Sequence, residues 1–270
     1  MKALIFQDSG KKALEERPKA TIAEPTDAIV KITKTTICGT DLHILKGDVP
    51  TCRPARVLGH EGVGFIEAVG PGVVTFKPGE RVLISCISAC GKCEYCRKGM
   101  YSHCVNGGWI LGNTIDGTQT EYVRIPYADT SLYRVADDAD EEALVMLSDI
   151  LPTGFECGVL NGKIQPGATV AIVGAGPVGL AALLTNHCQH RRAWIENGPP
   201  FRATLVTQHN DYHRLVDTFS TPMLLKTVQS RKVNPKLLVT HHFPLDRILE
   251  AYDTFGKAAS TQALKVIIET

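Results

Sequence analysis

The chain has 270 residues, 44 % of them hydrophobic and 21 % charged, with a formal net charge of +1. This is ordinary globular usage, long enough for one large domain or two of common size. So even a charge balance argues against a nucleic-acid or anionic-membrane surface.

The opening MKALIFQDSGKK has an apolar run of only four residues before its charges, and is expected to be neither a signal peptide nor a membrane span. Nine cysteines, four of them at metal-ligand spacing, point to zinc chemistry in a reducing compartment and not to a disulfide framework. A cytoplasmic location is the expectation.

Short strands are predicted at Ala3–Phe6 and Ala28–Thr33. In the second, Ile29, Lys31 and Thr33 alternate with Val30 and Ile32. Pro18 and Pro25 mark turns between them. Then comes Cys38-Gly39-Thr40-Asp41-Leu42-His43 and, after one loop, Gly59-His60-Glu61-Gly62. Thiolate, imidazole and carboxylate are ligands zinc prefers, and a catalytic zinc keeps three protein ligands and an open position. Thr40 and His43 add a hydroxyl and an imidazole able to carry a proton away. Taken singly, each of these residues reads more readily as a buried cysteine, a satisfied histidine or loop polarity, a reading that the other motifs of the chain overturn.

Further strands are predicted at Val63–Val69, Arg81–Ser85 and Glu121–Ile125, with a turn at Lys77-Pro78-Gly79-Glu80. So many short strands punctuated by glycine and proline make the first 130 or so residues a β-rich, barrel-like domain. Inside it, Cys90, Cys93, Cys96 and Cys104 follow C-x2-C-x2-C-x7-C. Four thiolates close a tetrahedron, so a zinc held there would be structural. His103 is not expected to compete with the softer thiolates. Cys52, Cys86 and Cys157 read as small buried side chains, and Cys188 has no ligand partner at suggestive spacing.

Gln165-Pro166-Gly167 makes a turn, Ala168–Val173 an apolar strand, and Gly174-x-Gly176-x-x-Gly179 opens a helix. Strand, glycine turn and helix in that order suit a dinucleotide pyrophosphate, with Gly174, Gly176, Pro177, Val178 and Gly179 as the cofactor-binding turn. The pattern then breaks. Residues 185–213 hold four of the nine histidines, one of the two tryptophans and no sustained apolar periodicity. Glu196 stands 22 residues past Gly174, where a ribose-binding acid belongs, but Asn197-Gly198-Pro199-Pro200 follow it where regular structure should.

From Arg214 regular patterns return. A helix is predicted over Thr221–Ser230 with Thr221 as cap and Pro222 at its first position. Another over Asp246–Phe255 carries Ile248, Leu249, Tyr252 and Phe255 on one face. Ala263–Ile268 reads as a final strand, and His241-His242 as a loop before a helix.

Jointly these motifs resemble the zinc-containing alcohol dehydrogenases of the medium-chain dehydrogenase/reductase family, most closely the bacterial tetrameric branch. The likeness rests on the Cys38–His43 motif, GHEGVGFIEAVGPGV from Gly59 to Val73, the four-cysteine lobe, MLSDILPTGFECGV from Met146 to Val159, and VAIVGAGPVGL from Val170 to Leu180. It covers residues 1–184 and roughly 214–270.

The resemblance implies an α/β protein with a β-rich part. Residues 1–150 would form a GroES-like β-barrel catalytic domain and 151–240 a truncated Rossmann parallel-sheet domain. Residues 241–270 would return to the catalytic domain. It implies a catalytic zinc on Cys38, His60 and Asp149, with Glu61 able to approach the metal or stay just outside it, and a structural zinc on Cys90, Cys93, Cys96 and Cys104. Thr40 would take the substrate proton and His43 relay it. Asp149 taken alone also reads as a helix N-cap.

The implied reaction oxidises an alcohol to an aldehyde or ketone by hydride transfer to NAD or NADP. The expected partners are a small-molecule alcohol or aldehyde and copies of the chain itself, a tetramer in the family, with neither nucleic acid nor membrane. A Rossmann fold needs on the order of 120 residues, and this chain has little more than half of that. A one-base frame shift across Asn186–Trp194 and Arg202–His213 permits apolar segments resembling late strands of the same fold. On that reading 185–213 is a frameshifted stretch beside an internal deletion, and strands two to four or so are missing. The alternative function is therefore a zinc-binding remnant without turnover. A zinc-free quinone reductase is disfavoured, since that branch has no need of the four-cysteine lobe.

Overall fold

The architecture comes from a computed structural model that describes residues 1–164, 169–187, 192–196 and 215–270. Its strands are β1 (Lys2–Asp8), β2 (Lys11–Glu16), β3 (Ala28–Ile37), β4 (Arg56–Val57), β5 (Gly62–Val69), β6 (Arg81–Ile84), β7 (Tyr122–Ile125), β8 (Leu132–Arg134), β9 (Thr169–Val173), β10 (Arg192–Glu196), β11 (Val239–Pro244) and β12 (Lys265–Glu269). Its helices are α1 (Gly39–Lys46), α2 (Ala128–Ser131), α3 (Glu141–Val145), α4 (Ile150–Thr153), α5 (Pro177–His187), α6 (Thr221–Gln229), α7 (Ile248–Gly256) and α8 (Ala258–Thr261), and a π-helical stretch, Gly154–Leu160, continues α4.

β3 is the spine. Its residues pair with β5, β7 and β12, within a seven-stranded sheet whose main path runs β11-β12-β3-β5-β6-β8. Ala28, Ile29, Val30, Ile32 and Ile37 are all buried, as a central strand flanked on both faces requires. Its register against β5 shifts between Ile32 and Lys34. Beyond that irregularity Thr35 and Thr36 are turned toward Glu61, so a local twist of the spine aims two hydroxyls at the site.

β12, far down the chain, slots between β11 and β3, parallel to one and antiparallel to the other. α7 covers it, sinking Ile248, Ala251, Tyr252 and Phe255 into a core with Leu4, Phe6, Ile44 and Leu58. Each large apolar side chain so buried contributes about 1.5–3 kcal/mol.

Several expectations need correction. The buried face of α7 uses Ala251 where Leu249 was expected, because Leu249 points outward at 40 % exposure. α6 is capped at Ser220, with Thr221 already inside the helix. His241 and His242 lie in β11, paired with Val266 and Ile267, and not in a loop. Cys157 is half-buried, on the π-helical stretch. A second parallel strand also exists where none was expected. β10 pairs in register with β9, Glu196 opposite Val173, so the backbone places Glu196 at the end of a second strand. The open edge of β9 gives the short Arg192–Glu196 segment the partners that its weak periodicity hid. The turn Gln165-Pro166-Gly167, Cys188 and the stretch 197–214 lie outside the described residues.

Candidate metal and nucleotide sites

α1 opens directly on Cys38, which supplies its cap position. The backbone N–H of Cys38 donates to Asp41 Oδ2 at 2.8 Å, and Gln119 Nε2 donates to the same oxygen at 3.1 Å. Tyr252 in turn donates to Gln119 Oε1 at 2.8 Å. This buried chain fixes where the Cys38 thiol stands, and it ties α1 to α7. Composition gave no warning of it, because Gln119 and Tyr252 are 133 residues apart.

His60 follows Gly59, whose φ of +94° is a left-handed conformation; a Cβ there would meet Gln119 at 2.6 Å. Only glycine lets the chain turn His60 inward. Cys38 Sγ, His60 and Glu61 bring their ligand atoms within 4.8 Å of one another. Asp149, across from β3 at the start of α4, joins them. Its Oδ2 lies 3.2 Å from His60 Nε2 and 3.9 Å from Cys38 Sγ. Although Asp149 occupies the N-cap position of α4, its side chain makes no capping bond to the helix backbone; it faces His60 and accepts from Thr153 Oγ1. Glu61 Oε2 accepts from Lys265 Nζ and Thr36 Oγ1, while its Oε1, buried, has no partner.

The donor set fits a divalent cation. A soft thiolate, an imidazole and a carboxylate converge, and a second carboxylate carries an oxygen with nothing to bind. Burial works to lower the pKa of His60, but the hydrogen bonds it donates to Asp149 and to the Cys38 sulfur outweigh it and hold His60 well above the ordinary histidine range. Burial likewise works to raise the Asp149 carboxyl, and His60 keeps it below the ordinary value. Metal and proton thus compete for one imidazole.

Thr40 Oγ1 lies 3.7 Å from Cys38 Sγ, beside the donor set. His43, one turn further along α1, points to the surface, its Nδ1 2.8 Å from Asp48 Oδ2. Asp48 was not foreseen; its place five residues beyond His43, where α1 ends in Gly47, is the signal that was available.

The second cluster is the four-cysteine lobe. The Sγ atoms of Cys90, Cys93, Cys96 and Cys104 all lie within 4.8 Å of one another. Against burial, backbone N–H groups at Lys92 and Cys93 bring the Cys90 thiol down to about 6. Burial pushes Cys96 up to about 12. Four sulfurs this close, two of them in buried residues, fit a tetrahedral metal. His103 stays outside, tilted against the Tyr95 ring at 5.9 Å. A third group, half-buried Glu142 with exposed His242 and Glu269, is already neutralised by Lys236 and Lys34, so it reads as a surface ion-pair network.

The third feature is the glycine turn between β9 and α5. Gly174 has φ +99°, and a Cβ on Gly179 would come within 2.1 Å of the Gly174 carbonyl oxygen. The turn is therefore packed as closely as backbone allows, and it leads into the N-terminus of α5 at Pro177. A cavity of about 520 Å³ opens between this turn and α1, lined by Gly39, Leu42, Gly176, Pro177, Phe255 and Leu264. Sequence reading brought Val178 to the same turn; it packs inward, against the core beneath α4.

Comparison with known proteins turns this arrangement into a family assignment. Residues 24–137 match the alcohol dehydrogenase GroES-like domain. A solved structure, zinc dependent alcohol dehydrogenase 2 from Streptococcus pneumonia in its apo form, is 40 % identical with a TM-score of 0.86, the match covering 100 % of this chain and 98 % of that one. The chain belongs to the zinc-containing alcohol dehydrogenases.

Among curated relatives of this dehydrogenase family, an alcohol dehydrogenase of Cupriavidus necator is 39 % identical over 203 residues, which are 67 % of this chain and 53 % of that protein. A zinc-type alcohol dehydrogenase B of Aspergillus flavus is 38 % identical over 190 residues, 68 % of this chain and 44 % of that protein. The chain thus spans about half the length of the curated relatives it matches. Family membership implies zinc and a nicotinamide dinucleotide as the cofactors. Among the described residues no helix is long and apolar enough to cross a membrane.

Proposed function

We infer that this chain is a zinc-dependent alcohol dehydrogenase acting on a small alcohol or aldehyde with NAD or NADP. The observation that carries the reading is the position of Asp149 Oδ2, in reach of both Cys38 Sγ and His60 Nε2, with the unpartnered Glu61 Oε1 nearby. Cys38, His60 and Asp149 would hold the catalytic zinc, and Glu61 would be its exchangeable fourth ligand. Cys90, Cys93, Cys96 and Cys104 would hold the structural zinc. Gly174, Gly176, Pro177, Val178 and Gly179 would seat the pyrophosphate at the α5 N-terminus, with the adjoining cavity receiving the rest of the dinucleotide.

A zinc held there would supply Lewis acidity to the substrate oxygen, and a bound nicotinamide would serve as the hydride acceptor. The chain's own part is the proton. Thr40, beside Cys38, accepts it from the substrate hydroxyl and His43 passes it to solvent at the α1 surface, oriented by Asp48. The domain division at residues 150 and 240, a cytoplasmic location and assembly into a homo-oligomer belong to the same reading.

The test is a fluorescence titration of NADH and NADPH into zinc-loaded protein, followed by alcohol oxidation assays. Micromolar binding of either nucleotide with measurable turnover supports the reading. Two zincs per chain with no nucleotide binding would instead identify a metal-binding remnant.

A further inference from the structure

Asp149 stands where an aspartate ordinarily caps a helix. At such a position its side chain accepts from the backbone N–H of the second or third helical residue. In α4 both amides are out of play. The N–H of Leu151, the second residue, donates to the Met146 carbonyl at 3.0 Å. The third residue is Pro152, which has no N–H. The run Asp149-Ile150-Leu151-Pro152 therefore sets a capping residue at the helix start and withholds the bonds that would hold its side chain there.

What holds the side chain instead lies one turn on. The backbone N–H of Thr153 donates to the Asp149 carbonyl at 2.8 Å, closing the first helical bond. The Thr153 hydroxyl donates to Asp149 Oδ1 at 2.5 Å. A threonine inside a helix commonly returns its hydroxyl to the carbonyl four residues back, as Thr185 does to Ala181 at 2.8 Å and Thr227 to Met223 at 2.9 Å. A hydroxyl has one hydrogen to give, and Thr153 gives it to the carboxylate. With Oδ1 engaged on the helix side, Oδ2 is the oxygen turned to His60 Nε2 at 3.2 Å and Cys38 Sγ at 3.9 Å.

We propose that Thr153 is the positioning residue of Asp149, and that Pro152 frees the carboxylate for it, so that Oδ2 is the atom offered to a divalent cation. This rests on the metal-ligand set of the alcohol dehydrogenase reading given above. A group that orients a metal ligand is worth about 10–100-fold in metal affinity, because it fixes which atom the ligand presents and in which direction. The two residues act in opposite senses on one carboxylate. Pro152 removes the competing helix amide, and Thr153 supplies the hydrogen bond that replaces it.

The experiment loads full-length protein with cobalt(II), withdraws the metal with a competing chelator and follows the thiolate-to-cobalt absorption. Cys38→Ser, treated identically, gives the signal of the four-cysteine lobe alone, so the difference belongs to the catalytic set. Thr153→Val keeps the shape and loses the hydroxyl; it should weaken that set by about tenfold or more while the lobe releases its cobalt unchanged. Thr153→Ser restores the hydroxyl and should return to within about threefold of the unsubstituted protein. Pro152→Ala restores the amide and should weaken the same set by about threefold or more, as the carboxylate turns to cap the helix. Unchanged affinity in Thr153→Val, or a Thr153→Ser no better than Thr153→Val, overturns the role of Thr153; unchanged affinity in Pro152→Ala overturns that of Pro152. Parallel weakening of the lobe would show a loosened fold and overturn the assignment too. If the unsubstituted protein and Cys38→Ser give the same cobalt signal, the catalytic metal set itself fails, and both roles with it.

Discussion

Lys265 Nζ donates to Glu61 Oε2, and both side chains are 1 % exposed. A buried lysine next to a metal-ligand set is explicable by charge. Cys38, Asp149 and Glu61 bring three negative charges to a divalent cation, and Lys265 neutralises the one left over. Removing one partner of a buried pair strands the other, at a cost of about 3–5 kcal/mol. Lys265→Met should therefore lower unfolding stability by that order in metal-free protein, and by clearly less after zinc loading, when Glu61 has the metal to turn to. Urea titrations with and without zinc measure both numbers, and an equal loss in the two states would show that Glu61 never exchanges Lys265 for the metal.

The two cysteine sets should separate cleanly on metal analysis. Cys93→Ser is expected to lose one of two zincs and to lower the melting temperature, because the lobe has little apolar core of its own beyond Ala89, Cys96 and Cys104. A loss of about 3 kcal/mol corresponds to roughly 6–12 °C for a chain of this size. Cys38→Ser should lose the other zinc while its far-ultraviolet circular dichroism stays unchanged. Two zincs retained in either variant would mean that the ligand set is misassigned.

Gly179 offers a sharp test of the nucleotide turn. Its absent Cβ would sit 2.1 Å from the Gly174 carbonyl oxygen, so Gly179→Ala must push the turn and α5 apart. NADH affinity should drop by at least about tenfold, the equivalent of 1.4 kcal/mol, with both zincs retained. Unchanged affinity would place the dinucleotide elsewhere.

Much of this was legible in the chain. Metal ligands clustered in short motifs announce themselves, because thiolates at fixed spacing have few other uses in a reducing compartment. Of the strands up to Ile125, β1, β3, β5, β6 and β7 were legible through alternation and turn residues, whereas β2 and the two-residue β4 were not. Residues that act across long separations were hidden. Lys265 sits in an apolar run, Ala-Leu-Lys-Val-Ile-Ile, where a surface lysine would be the ordinary reading, and only the pairing of β12 with β3 brings it to Glu61. Leu249 was assigned to the buried face of α7, but at about 100° per residue it stands at the margin of the face centred on Ile248, Tyr252 and Phe255, whose other flank is filled by Ala251. β10 was missed because five residues beside a Gly-Pro-Pro break carry too little period to register.

A pH effect should come from Glu156. Its carboxylate accepts from the backbone N–H groups of Asp217, Thr218 and Ser220 and from Ser220 Oγ, latching that segment to the π-helical stretch. Burial raises its pKa above the ordinary 4.5, against those hydrogen bonds, which lower it. Between the ordinary and the raised value the folded protein keeps a proton that the unfolded chain has released. The stability owed to this group is therefore present in acid and lost as pH rises through that window. Relative to Glu156→Gln, the melting temperature of the unsubstituted protein should fall as pH climbs from 4.5 toward neutrality. Parallel pH curves for the two proteins would remove Glu156 from the account.

The insertion of β12 between β11 and β3 has a consequence for the order of folding. Lys34 and Glu269, which face each other across that seam, are 235 residues apart. Pairings of such sequence separation close late, after local hairpins such as β1–β2 have formed. During that interval the nascent barrel leaves the Lys34–Ile37 stretch of β3 without its β12 partner, and Glu61 without its counter-ion. The N-terminal half is thus expected to wait as an incomplete, aggregation-prone intermediate, and the docking of β12, not closure of the earlier strands, sets when the metal pocket first becomes electrically balanced.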